Sequence, residues 1–114
     1  MEDSILLSTK SVLNLDVDYN AFDLDILTYL NMALSTVQQL GAITDAVIVG
    51  DSTATWSSLG LPHEQLSLVK TYVILKTRLL FDPPTASFVL EAFSKQISEL
   101  EWRLNVNREL EVNV

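Results

Sequence analysis

The stretch KTYVILKTRLLFDPPTASFVLEAFSKQISELEWRL, Lys70–Leu104, decides the fold. It predicts two long helices joined by a hard corner at Phe81-Asp82-Pro83-Pro84. Proline has no N–H to donate inside a helix, and it drives the residue before it toward extended backbone. The first helix should therefore stop at about Phe81–Asp82. Proline is accepted in the first turn of the next helix, where Thr85 or Ser87 offers a capping oxygen. Past the corner, Val89, Phe93, Ile97, Leu100 and Leu104 recur at steps of four and three, one stripe of a 3.6-residue period. The opposite side carries Glu91, Lys95, Ser98, Glu99, Glu101 and Arg103. Glu91–Lys95 and Glu99–Arg103 are i,i+4 pairs in the favourable order, each contributing ~0.3 kcal/mol.

Upstream of the corner the helix has two apolar stripes. Leu66, Val69, Val73 and Leu80 form one, and Leu68, Tyr72, Leu75 and Leu79 the other. A helix apolar on two sides is central in its domain, or buried once in the monomer and once against a neighbour. Pro62 suits its first position, with His63 and Glu64 in the opening turn. At ~1.5 Å per residue it is about 28 Å long, a length the next helix should match.

Toward the N-terminus, Asp3 or Ser4 can cap a short helix running to about Leu13, with Ile5, Leu6, Thr9, Val12 and Leu13 as its apolar positions. Lys10 sits near its C-terminal end, where the helix dipole favours a cation. Asn14–Asn20 reads as a polar turn. A second helix from about Asp23 to Leu40 has the stripe Ile26, Leu27, Leu30, Ala33, Leu34, Val37 and Leu40, and Gly41 supplies the left-handed residue that ends it. Ala42–Leu61 is the least regular region. Ala46–Val49 reads as a short strand, or one arm of a β-hairpin in the 44–55 loop, and Thr55–Gly60 as a single helical turn closed by Gly60. Asn105–Val114 shows no clear period. The expected architecture is a mainly α, single small domain of about four helices over residues 1–104, followed by a C-terminal arm, 105–114.

Composition narrows the function. A chain of 114 residues, 48% hydrophobic, supports one folded domain. No apolar run approaches the ~20 residues of a membrane span, and the start MEDSILLSTK has acids where a secretory signal has bases, so a cytoplasmic location is expected. There are no cysteines, which excludes disulfides, thiolate zinc sites and a cysteine nucleophile. A net charge of −8 argues against a general phosphate-binding surface. It suits ordinary solubility, or a surface that DNA must slide past.

No constellation carries chemistry. Asp16, Asp18 and Asn20 match the first three ligand positions of an EF-hand loop, but Ala21 and Leu27 stand where its glycine and closing glutamate belong. These acids read as a turn that caps the second helix. His63 is the one histidine, with no partners at a ligand spacing. Ser57 and Ser58 lack a nucleophile-elbow turn, and Gly41, Gly50 and Gly60 stand apart, so no phosphate loop forms. No catalytic, cofactor or metal residue is expected. Trp56 either pins its loop to the core or meets a partner. Trp102 lies off the core stripe between Glu101 and Arg103. Aromatics and arginine are enriched at the centres of interfaces, so it reads as an inter-subunit or partner contact, with packing against the C-terminal arm as the alternative.

Tyr72, the FDPP corner and Leu100-Glu101-Trp102-Arg103-Leu104, preceded by an acidic helix pair and a TW-containing loop, resemble the head–tail connector (head-completion adaptor) proteins of long-tailed double-stranded DNA phages. The resemblance spans nearly the whole chain and is sharpest at the corner and the ELEWRL helix. It implies a structural virion protein with no enzymatic activity, assembled in the host cytoplasm. Usually twelve copies form a ring on the portal protein, extending the DNA channel and presenting a platform to a stopper or tail-completion protein. DNA passes through without sequence-specific binding. Carried onto this chain, 105–114 becomes a portal-facing arm and Ala46–Leu59 a tail-side or neighbour contact. The candidate interface residues are Trp56, Tyr72, Trp102, Arg103, Val106, Arg108 and Leu110. From a different class, a small helical regulatory or antitoxin-like module binding one soluble partner also fits; a small enzyme fits least.

Overall fold

The structure, a computed structural model, describes residues 3–112, with side chains through Val106. Four α-helices follow one another: α1 (Ile5–Val12), α2 (Asp23–Gln39), α3 (His63–Phe81) and α4 (Ser87–Val112), with one 3₁₀ turn at Ser57–Leu59.

The capping chemistry fixes where each helix starts and stops. Ser4 is the N-cap of α1 and its hydroxyl accepts from the Leu7 N–H at 3.2 Å. At the other end Asn14 adopts φ +62°, and the Leu15 and Asn14 amides donate back to the Lys10 and Ser11 carbonyls. Helix α2 ends in the same way. Gly41 takes φ +86°, and the Ala42 and Gly41 amides return to Val37 and Gln38. These are Schellman closures, in which the left-handed residue satisfies carbonyls the helix leaves open. Asparagine is among the few side-chain-bearing residues that tolerate this conformation. Pro62 is the N-cap of α3, and Gly60 at φ +67° closes the 3₁₀ turn before it.

The corner forms at the expected residues. Asp82 leaves the helical region (φ −143°, ψ +73°) directly before Pro83, and α4 begins at Ser87. Helix α3 is central, packing on α2 along one side and α4 along the other. Its buried line is Val69, Tyr72, Val73 and Thr77; α2 contributes Ile26, Leu30, Ala33, Leu34 and Val37, and α4 contributes Ile97 and Leu104. Ile5 and Leu6 of α1 close the core, which extends into the connection between α2 and α3 through Ala42, Ile43, Val49 and Trp56.

Four sequence expectations change. Ala46–Val49 is no strand: among the described residues the sole bridge joins Ser4 and Thr55, antiparallel. Val49 instead spends its backbone on a side chain, receiving the Asn31 amide at 3.0 Å and donating to its Oδ1 at 2.7 Å. With no neighbouring strand, β-propensity has nothing to pair with. The period-less segment after Leu104 continues α4 to Val112, since no Gly or Pro interrupts it. At 26 residues α4 is about 39 Å long and outruns α3 rather than matching it. Val12 faces outward, while Thr9 and Lys10 turn inward.

Candidate functional site

The sequence singles out the α1–α2 turn as a would-be cation loop, and the structure supplies a cation from within the chain. Lys10 is fully buried. Its ammonium lies 2.9 Å from Asp23 Oδ1 and donates to the Val17 carbonyl at 3.0 Å and to Asn20 Oδ1 at 3.5 Å. Asp16 Oδ1 accepts the Asp18 amide at 3.0 Å, shaping the turn itself. From sequence, Lys10 is a cation suited to the dipole at the end of α1. Its burial depends on α2 folding back over α1, which no local spacing reveals. A buried ammonium persists only when paired and hydrogen-bonded, so the Asp16–Asn20 turn is a structural clasp. Among the described residues, no group of His, Asp and Glu could hold a metal ion.

Trp56 is in the core. Its indole N–H donates to Ser8 Oγ at 2.8 Å, and Lys70 lies 5.8 Å from the ring centroid. Of the two sequence readings, packing describes its position, and as a surface contact it is displaced by that burial. Around it the start of the chain is stitched to residues 54–57. Ile5 donates to the Ala54 carbonyl at 3.0 Å, Trp56 to the Asp3 carbonyl at 2.9 Å, and Ser57 Oγ to Asp3 Oδ2 at 2.6 Å.

Tyr72 is likewise buried, joining α3 to α4. Its hydroxyl donates to Glu101 Oε2 at 2.8 Å. Burial pushes the phenol above its ordinary value. The hydrogen bond to Glu101 and that carboxylate's charge add to the rise, against a smaller opposing effect of the Thr36 hydroxyl. Tyr72 therefore stays neutral and acts as a strut, not a surface contact. Farther along the same seam Arg78 covers the Phe93 ring at 5.4 Å.

The remaining candidates lie on the outer side of α4. Trp102 is 65% exposed, and Arg103 pairs with Glu99 at 3.1 Å on the surface. Phe88, Lys95 and Trp102 follow at seven-residue intervals, two turns apart, and all three are exposed, with an aromatic at each end. Val106 is half-buried. The side chains of Arg108 and Leu110 lie outside the described residues. At the corner, Phe81 packs edge-on against Phe22 at 5.4 Å, and Phe22 against Tyr19 at 5.8 Å, while Asp82 and Pro83 are exposed and Pro84 is half-buried.

The described residues thus present buried struts beneath an outward aromatic row on α4. The chain matches the phage connector proteins over residues 5–111. It belongs to that family. The match takes in all four helices, so it covers the corner and the outer face of α4 alike. No curated protein and no solved structure gives a significant match. As a phage connector the chain has a structural role in the virion. None of its helices, among the described residues, is long and apolar enough to cross a membrane.

Proposed function

We propose that this connector assembles as a ring beneath the portal, extends the DNA channel and gives the next tail component its platform. The observation that carries the reading is the exposed aromatic row of α4. Large aromatic side chains left in water on a folded helix mark surfaces that another protein covers. Family membership favours portal and tail components as that partner, and we add further copies of the chain. The net charge of −8 supports a wall past which DNA moves without sticking. On this reading Trp102 and Arg103 contribute to contacts between chains, and residues 105–114, the end of α4 and the two residues after it, form the portal-facing arm with Val106, Arg108 and Leu110. The ring has twelve copies, assembled in the host cytoplasm.

Electron microscopy of portal-containing heads from the matching phage, with and without the added chain, tests this. An additional ring below the portal is expected. The chain ending at Leu104 should keep its helical circular dichroism and dock poorly. Heads that gain no ring remove the ring reading, and full docking by the shortened chain removes the arm.

A further inference from the structure

Charge is divided unevenly along this chain. Residues 1–64 hold nine of the fifteen acids and one of the seven lysines and arginines, a net −8, while the six acids and six bases of residues 65–114 cancel. That one base is Lys10, whose charge is consumed internally by Asp23. Every other cation therefore belongs to the half that contains α3 and α4. The acidic half of the sequence thus builds α1, α2 and the connection to α3, while the half that builds α3 and α4 carries every remaining Lys and Arg.

Each half of the sequence presents one part of a contact. In the acidic half Leu24, in the first turn of α2, is 78% exposed and is followed by the exposed Asp25. In the other half Thr71, Leu75, Gln96, Glu99, Leu100 and Arg103 line an open groove of about 240 Å³ between α3 and α4. Leu75 and Leu100 supply its apolar surface and Arg103 its cation. An apolar cavity of roughly 150 Å³ holds benzene, so the groove has room for an isobutyl group.

We propose that copies of the chain join head to tail, with Leu24 of one copy seated in the α3–α4 groove of the next and Asp25 paired with that copy's Arg103. This rests on the ring reading and assigns the two faces that meet. The Arg103 guanidinium has five N–H donors, and Glu99 engages one nitrogen, so a second carboxylate can be accepted. Ile48 is as exposed as Leu24, but its neighbours Val47 and Val49 offer no charge to match the groove rim. Like faces are excluded by the same electrostatics: two α2 starts placed together would oppose Asp16, Asp18 and Asp25 of both copies. A contact between unlike faces repeats from copy to copy, and it closes a ring where the rotation permits.

The absence of cysteine makes the test clean. Leu24→Cys/Gln96→Cys, docked on portal-containing heads and oxidised, should give a ladder of covalent multimers. Each single variant should stay monomeric, and a mixture of the two singles should stop at dimers. In parallel, Asp25→Arg should weaken ring formation by about tenfold, and Asp25→Arg/Arg103→Asp should recover most of it. A ring visible by microscopy without a ladder overturns the face assignment and leaves the ring reading standing. A covalent dimer from Leu24→Cys alone overturns it in favour of like-to-like contact. No ring and no ladder from the unmodified and variant chains removes both. A double charge variant no better than Asp25→Arg refutes the pairing.

Discussion

Replacing Lys10 by methionine and Asp23 by asparagine separates what the two ends of the buried ion pair contribute. Methionine keeps the length and apolar stem of Lys10 and removes its charge. What it strands is the Asp23 carboxylate, whose Oδ1 is buried although the side chain as a whole is 27% exposed, together with the Val17 carbonyl. The cost should be about 2 kcal/mol. Asparagine at 23 strands the ammonium instead. That group is 1% exposed and would keep only neutral acceptors, Val17 at 3.0 Å and Asn20 at 3.5 Å among them. This cost should be larger, about 3–4 kcal/mol, in the range found when one partner of a buried pair is lost. The double variant removes both charges and should cost about 2 kcal/mol, leaving ~3 kcal/mol of coupling between the sites. Urea unfolding followed by circular dichroism reads these differences, since ~3 kcal/mol moves the midpoint by roughly 1–3 M. If Asp23→Asn falls within about 0.5 kcal/mol of the parent, or if the two single costs simply add, the clasp does not hold the fold in the way its geometry implies.

Tyr72→Phe should lower stability at neutral pH by about 1 kcal/mol, because Glu101 loses a buried donor. The folded chain raises the Tyr72 phenol above its ordinary value of about 10, so its contribution is complete below pH 10 and is lost as pH climbs from there toward the raised value. The variant should therefore show a shallower alkaline loss of stability than the parent, and equal slopes above pH 10 would refute the assignment. Trp102→Ala should leave the melting temperature within a few degrees and weaken docking on heads; unchanged docking would take Trp102 out of the interface. Pro83→Ala with Pro84→Ala should lower stability by about 1–2 kcal/mol through a freer unfolded chain, and an unaltered melting temperature would count against a corner that the prolines hold.

What could be read locally was read. Ser4, Gly41, Gly60 and the FDPP corner each act within a few residues of themselves, so the four helices and their turns were visible in the sequence. The α4 stripe from Val89 to Leu104 was legible because helical period alone dictates it. What escaped depends on chain returning from elsewhere. Lys10 meets Asp23 only after α2 folds back on α1. Trp56 finds Ser8 across 48 residues, so the sequence could pose its two roles without choosing. Tyr72 stands in an apolar stripe that suits the core or a neighbouring chain alike, and Glu101, the acceptor that ties it inward, is 29 residues away on α4. Ala46–Val49 has strand-like residues, and the missing ingredient was a partner edge. For Asn105–Val112 no period marks a helix face, although an unbroken helix needs only the lack of a breaker.

The stitching of Asp3–Ile5 to Ala54–Ser57 also bears on how the chain is made. Asp3 and Ile5 cannot make these bonds until Ala54 and Trp56 have been synthesised, so this closure waits for α2 and the connection beyond it. Long-range closures of this kind come late, because the entropy of the intervening loop must be overcome before any contact repays it. Until that closure Ile5, Leu6 and the apolar face of α2 lack part of their cover, and the net charge of −8 over residues 1–64 disfavours contact between two such unfinished copies.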